Sequence, residues 1–259
     1  MSAPFDQHFL VDEKAIKKIA GFIPVRGKRV LEIGPGEGPL TRALLDRGAL
    51  VIAVELDRNL FEELEQRFSR EIAEGRLFCI RGDAVRDPFP PFDVVVANLP
   101  YSASSKITFR LLNTGFEDAV LMYQKEFAER MLASPGTPAA GRLSVMVQTY
   151  ADVAPLLELS PNAFRPKPQV RSMVVRITPR PPPFPIADHA LYAVIVRELF
   201  SHRRKTVSKS LKIARPVLGE GRVRAMLESL PPAILGARPE ELDLASFARI
   251  ANCAAASAS

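Results

Sequence analysis

The sequence predicts an α/β protein: a doubly wound, mainly parallel sheet followed by a small helical domain. Three observations predict it. Short apolar runs rich in Val, Ile and Leu alternate with longer amphipathic stretches through the first two-thirds of the chain, as strands buried on both faces alternate with crossover helices. The first run, 29–33, leads straight into Gly34-Pro35-Gly36-Glu37-Gly38 and then a helical pattern, a strand–turn–helix unit. After the Pro-rich stretch 178–185 the pattern is helical only.

Taken in order, strands are expected over 29–33, 50–55, 76–81, 92–97, 119–123, 143–150 and 172–177, each a short aliphatic or β-branched run. Helices are expected over 40–46, 58–70, 104–113 and 125–133, where apolar residues recur at three- and four-residue spacing. The prolines of 178–185 make a stiff, extended break, so a boundary is expected near 181. It separates a sheet domain over 1–180 from a helical domain over 181–259, with helices over 187–200, 207–213, 221–230 and 239–251. The terminal AAASAS is expected to fray.

Composition narrows the function classes. The chain has 259 residues, 47% hydrophobic and 25% charged, which is a folding composition rather than a disordered one. No apolar run reaches the roughly 20 residues of a membrane span, and the N-terminus lacks the pattern of a secretory signal. The two cysteines, Cys79 and Cys253, stand far apart, so neither a disulfide framework nor a cysteine-rich zinc site is expected. The cytoplasm is the expected compartment. The net charge of +6 is uneven: residues 1–180 carry +2 and the shorter 181–259 carry +4. Basic residues without any acid fill 165–180 (Arg165, Lys167, Arg171, Arg176, Arg180) and 203–215 (Arg203, Arg204, Lys205, Lys209, Lys212, Arg215). Lys205, Lys209 and Lys212 would share one helix face, with Val207 and Leu211 anchoring another. Such a face suits a polyanion, although a solvated lysine face has the same sequence.

Candidate site residues fall at successive strand ends. Gly34 and Gly36 let the backbone turn sharply and approach a ligand. In the dinucleotide fingerprint the third glycine follows the second by three places; here Gly38 follows by two, with Pro39 next, which argues against a nicotinamide enzyme. GxGxG after a first strand is instead the pattern of S-adenosylmethionine enzymes. Glu55, ending the second strand about 20 residues on, can accept the ribose hydroxyls of a nucleoside. Asp83, ending the third, can accept from an adenine amino group.

The strand 92–97 ends in Asn98-Leu99-Pro100-Tyr101. An exocyclic amine on a base is a poor nucleophile because its lone pair is delocalised into the ring. The Asn98 carboxamide oxygen and a backbone carbonyl can each accept one N–H and draw that nitrogen toward tetrahedral geometry. Pro100 fixes the backbone, and Tyr101 offers a flat face to a base turned out of its helix. Positioning and dipoles suffice, without a strong general base. Phe164-Arg165-Pro166-Lys167-Pro168 is a second candidate: Phe164 stacks on the same base, with Arg165 and Lys167 on phosphates, or it packs into the core; residue types alone leave both open.

With these residues in place, the chain closely resembles the rRNA adenine N6,N6-dimethyltransferase family, the kasugamycin-resistance group acting on small-subunit rRNA. The resemblance runs nearly end to end. Gln7-His8-Phe9-Leu10 is similar to its N-terminal cofactor motif, in which His8 and Leu10 touch the cofactor. Residues 32–38 resemble its glycine motif, Glu55 and Asp83 its ribose and adenine contacts, Asn98–Tyr101 its target-base motif, and Phe164 its second stacking aromatic. Residues 200–205 look like the basic helix of its C-terminal domain, and 238–247 like that domain's last helix. The family implies a Rossmann-like sheet with S-adenosylmethionine as cofactor. It implies four methyl groups placed on two adjacent adenosines in the hairpin loop near the 3′ end of small-subunit rRNA, late in subunit assembly. Ser102-Ala103 departs from the usual polar residue followed by Ile, which bears on whether the second methyl is added. His8 and the run 124–130 lean toward the archaeal branch. Two rival readings stand beside this one: another adenine target, such as large-subunit rRNA, and an assembly factor acting mainly by binding RNA. A single active site per chain makes a monomer the simplest expectation.

Overall fold

The computed structural model describes residues 8–256, so Gln7 and the last three residues lie outside the described part. The chain divides into two compact units, one of residues up to 128 with 152–179, the other of 129–151 with 180 onward.

The first unit runs β1 (Phe9–Leu10), α1 (Glu13–Ile19), β2 (Arg29–Ile33), α2 (Pro39–Asp46), β3 (Leu50–Glu55), α3 (Arg58–Arg67), α4 (Ser69–Ala73), β4 (Leu77–Arg81), β5 (Val94–Asn98), α5 (Ser104–Thr114), β6 (Asp118–Gln124) and the start of α6 (Lys125–Leu132). After α7 (Arg142–Tyr150) it resumes with β7 (Ala151–Leu159), β8 (Phe164–Arg165) and β9 (Ser172–Pro179). Seven strands form one sheet in the order β4-β3-β2-β5-β6-β9-β7. From β4 to β6 the pairings are parallel, and β9 runs antiparallel to β6. Val30, Val51, Val94, Val95 and Val120 are essentially unexposed, as strands covered on both faces require. The strand order reverses between β2 and its neighbours β3 and β5, and ligands in such sheets bind beyond the carboxyl ends at that switch.

One expectation fails here for a physical reason. Residues 143–150 are expected as a strand but form helix α7. Their alternating Val145, Val147 and Thr149 imitate a period of two, yet the segment is buried on most sides, and tertiary packing overrides β propensity. Ser144 Oγ accepts from the Gly141 amide at 2.9 Å and starts the helix, while Thr149 Oγ1 donates back to the Val145 carbonyl at 2.7 Å. The strand comes next, as β7. It contains Pro155, which is tolerated because β7 is the sheet's edge.

The second unit contains α7, α8 (His189–Ser201), α9 (Val207–Ile213), α10 (Arg215–Leu218), α11 (Glu220–Ser229), α12 (Pro232–Gly236) and α13 (Leu244–Ala256). A single cut at 180/181 therefore differs from the two compact units: Val145 joins the cluster built on Tyr192, Ile195, Leu211 and Phe247, and Thr149 Oγ1 meets the Tyr192 hydroxyl at 2.8 Å. The Phe200 and Phe247 rings stack with centroids 5.7 Å apart. Ala254 to Ala256 complete α13 rather than fray. Among the described residues no helix is long and apolar enough to cross a membrane.

Candidate active site

One cleft in the first unit collects the carboxyl ends of four strands. It encloses about 940 Å³, part of it open to solvent, and is lined by Gly34 and Gly36 after β2, Glu55 to Asp57 after β3, Gly82 to Val85 after β4, and Asn98 to Ala103 after β5. The cofactor and target motifs read from sequence thus converge on one space.

The glycine turn is shaped by what lies on it. Gly36 has φ +56, and a Cβ there would meet the Phe9 ring at 2.7 Å. Gly38 has φ +81, and a Cβ would meet Phe68 at 2.5 Å. Neither site accepts a side chain without moving an aromatic ring. From α3, Arg67 donates to the Glu37 carbonyl and ties the turn from outside.

Behind the turn, Glu55 is 5% exposed. Its Oε1 accepts from the Leu56 and Asp57 amides at 2.9 and 3.0 Å, and its Oε2 from the Gly36 amide at 3.2 Å. Burial raises its pKa above the usual carboxylate range, and these backbone donors oppose that shift. Among the described residues Oε2 has one donor, so it is the oxygen with an acceptor position left. Deeper still, Glu32 is 1% exposed and accepts from Thr41 Oγ1 at 2.7 Å. Burial pushes it up to about 8, Thr41 opposing and the charge of Glu55 adding. Asp83 Oδ1 accepts from the Val85 amide at 2.8 Å, and its Oδ2 lies 3.5 Å from Arg86.

Asn98 ends β5. Its Nδ2 donates to the His8 carbonyl at 3.1 Å, and its carboxamide oxygen takes no donor among the described residues. His8 Nδ1 donates to the Pro166 carbonyl at 2.8 Å, and its ring centroid lies 5.5 Å from that of Tyr101. The Tyr101 hydroxyl meets Ser172 Oγ at 2.7 Å, which anchors the far end of its ring. Pro100 is extended, and its carbonyl accepts from the Ala103 amide and Ser104 Oγ, each at 3.1 Å.

Two predicted site residues are elsewhere. β1 and β8 pair antiparallel with Leu10 opposite Phe164, and both side chains lie in the core at 4% and 2% exposure. Cross-strand partners share a side of the ribbon, so Leu10 and Phe164 are buried together. The cleft wall is His8 and Phe9 instead, and Phe164 is not part of it. Sequence reading also missed Leu56, Asp57, Leu60, Val85 and Ile107. Leu56, Asp57 and Val85 follow Glu55 and Asp83 by one or two places, a signal that strand-end position alone offered.

The basic residues divide in the same way. Arg171 pairs with Glu158 at 2.6 Å, Arg176 with Asp118 at 2.5 Å, and Arg180 donates to the Gln148 carbonyl at 2.8 Å. Arg165 and Lys167 are exposed and remain available. In the second unit α9 begins at Val207, so Lys205 precedes it, and only Lys209 and Lys212 lie on the helix. Val207 and Leu211 are fully buried beneath it. Arg203 donates to the Pro138 carbonyl at 2.9 Å and lies 3.8 Å from Glu240, whereas Arg204 and Lys205 are exposed in the turn before α9.

A family model described as ribosomal RNA adenine dimethylase matches residues 2–252. The chain belongs to that family. It is 56% identical over 252 residues to a probable ribosomal RNA small subunit methyltransferase A of Methanospirillum hungatei, covering 97% of this chain and 98% of the relative. To the protein of the same description from Halobacterium salinarum it is 44% identical, over 96% and 89%. Both support the archaeal leaning read from His8 and 124–130. Among solved structures, a dimethyladenosine transferase from Plasmodium falciparum superposes with a TM-score of 0.78 at 30% identity, over 94% and 96% of the two chains. The 23S rRNA methyltransferase ErmE superposes with 0.68 at 27%, over 94% and 99%. The chain is an rRNA adenine methyltransferase, and S-adenosylmethionine is its cofactor. The cleft fits that molecule: a turn without Cβ atoms, a buried carboxylate at the second strand end and an acid at the third meet a nucleoside's donors.

Proposed function

We propose that this enzyme converts two adjacent adenosines in the 3′-terminal hairpin loop of small-subunit rRNA to N6,N6-dimethyladenosine during ribosome assembly, acting in the cytoplasm as a monomer. The observation that carries the reading is Asn98. Its amide nitrogen is committed to the His8 carbonyl, so its oxygen is the acceptor left in a cleft that also holds Glu55 and Asp83. When bound, the cofactor supplies an electrophilic sulfonium methyl. Glu55 Oε2 takes a ribose hydroxyl, and Asp83 takes the adenine amino group. Asn98 Oδ1 accepts one N–H of the target amine. The Pro100 carbonyl already has two donors, which makes the Leu99 carbonyl the second acceptor. Tyr101, held by Ser172 and beside His8, stacks on the base. Arg165, Lys167, Arg204, Lys205, Lys209 and Lys212 are the exposed cations for phosphates. The residues read for cofactor and for target line one cleft within one unit of one chain, which supports action without an obligate protein partner.

Replacing Asn98 by Ala separates binding from chemistry. The expected result is S-adenosylhomocysteine affinity within about threefold of wild type and turnover lower by roughly 10²–10³, the scale for removing one positioned hydrogen-bond group. Loss of cofactor binding in that variant would contradict the role given to Asn98.

A further inference from the structure

Beyond the strand ends, one side chain outside the cleft holds the loop that lines its adenine end. The loop Gly82–Asp87 folds around Asp83: the Asp83 amide donates to Asp87 Oδ2 at 2.7 Å, and the amides of Arg86 and Asp87 donate to the Asp83 carbonyl. It has no strand or helix of its own. Arg110, on α5, clasps it from behind. Its Nη1 donates to the Ala84 carbonyl at 3.3 Å, and its Nη2 donates to the Asp87 carbonyl. Its guanidinium carbon lies 4.5 Å over the ring of Phe89, which in turn meets Phe92 edge-on at 6.1 Å. Among the described residues Arg110 has no carboxylate partner; its full charge is spent on two loop carbonyls and a ring. Ala84 and Val85 line the cleft, and Arg110 does not. The same helix begins just after the Tyr101–Ala103 turn and places Ile107, one turn before Arg110, in the cleft wall.

We propose that Arg110 is a positioning residue for cofactor recognition: it holds the Gly82–Asp87 loop in the shape that lets Asp83 read the amino group of the cofactor's base. The geometry asks for arginine. A planar fork can reach two carbonyls while its face stacks on Phe89, and a lysine ammonium offers one point charge and no face. The proposal rests on the reading that the cleft takes the cofactor with adenine at Asp83.

The test uses the full chain and two ligands, S-adenosylhomocysteine and its inosine counterpart, which lacks the amino group. Dissociation constants are measured by calorimetry for wild type, Arg110→Met and Arg110→Lys, with thermal unfolding in parallel. Wild type is expected to prefer the adenine ligand by about tenfold or more, as for one hydrogen bond to a charged acceptor. Arg110→Met is expected to weaken the adenine ligand about tenfold and the inosine ligand less than about threefold, so the preference collapses, with Arg110→Lys between. At saturating cofactor, kcat and the KM for RNA stay within about twofold, since the clasp touches neither the target motif nor phosphates. Full preference retained in folded Arg110→Met overturns the proposal. So does an equal loss for both ligands, which marks a general structural role. Should Arg110→Met fail to fold, Arg110→Lys carries the same comparison. Absence of any preference in wild type overturns instead the underlying placement of adenine at Asp83, and the proposal with it.

Discussion

Glu32 lies under the glycine turn with its carboxyl 1% exposed and one hydroxyl donor, Thr41. Its pKa, raised from 4.5 to about 8, makes it a stability element with a definite sign. The native state holds the proton more tightly than the unfolded chain, so this group's contribution falls as pH rises from about 4.5 to about 8. Glu32→Gln keeps an acceptor for Thr41 and removes the titration. Urea unfolding at pH 5 to 8 is expected to show a decline in the wild type that is shallower in the variant; parallel curves would contradict it. Residue by residue, the lining of the cleft was legible where chemistry and strand-end position agreed, as at Glu55, Asp83 and Asn98. It was not legible at Leu10 and Phe164, because which side of a two-residue ribbon faces the cleft depends on a strand pairing about 150 residues away in the chain.

Among the elements, the glycine turn and the β1 strand depend on each other. A Cβ at Gly36 meets the Phe9 ring, and the residue's φ of +56 is strained for any side chain. Gly36→Ala is expected to lower stability by about 1–3 kcal/mol and to weaken S-adenosylhomocysteine at least about tenfold, checked by unfolding and calorimetry together. Cofactor binding at wild-type strength would mean that the turn does not shape the site. The strands β2, β3, β5 and β6 were readable because continuous apolar runs have few other homes than a sheet covered on both faces, whereas β4, at the sheet's edge, leaves Phe78 and Ile80 exposed. α7 and β7 were not. Alternating Val and Thr describe a strand by pattern, Pro155 argues against one, and only the packing of α7 and the edge position of β7 reverse both signals.

On the scale of the whole molecule, the net charge of +6 concentrates in the C-terminal third, but some cations there are already engaged by protein acceptors. Arg203 is held by the Pro138 carbonyl and Glu240, so removing its side chain should act mainly on stability. Arg204, Lys205, Lys209 and Lys212 are exposed around the start of α9 and carry no ion pair among the described residues. Changing these four to Gln is expected to weaken binding to small-subunit rRNA and to lower the slope of log K against log salt by roughly 0.7–0.9 for each phosphate no longer neutralised. An unchanged slope would remove this face from the RNA footprint. Transfer of labelled methyl from S-adenosylmethionine is measured on unmodified small subunits, with large subunits and duplex DNA in parallel, and the nucleosides are identified by mass. The expected product is N6,N6-dimethyladenosine from the small subunit alone. Label confined to the large subunit, or none anywhere while the cofactor still binds, would contradict it.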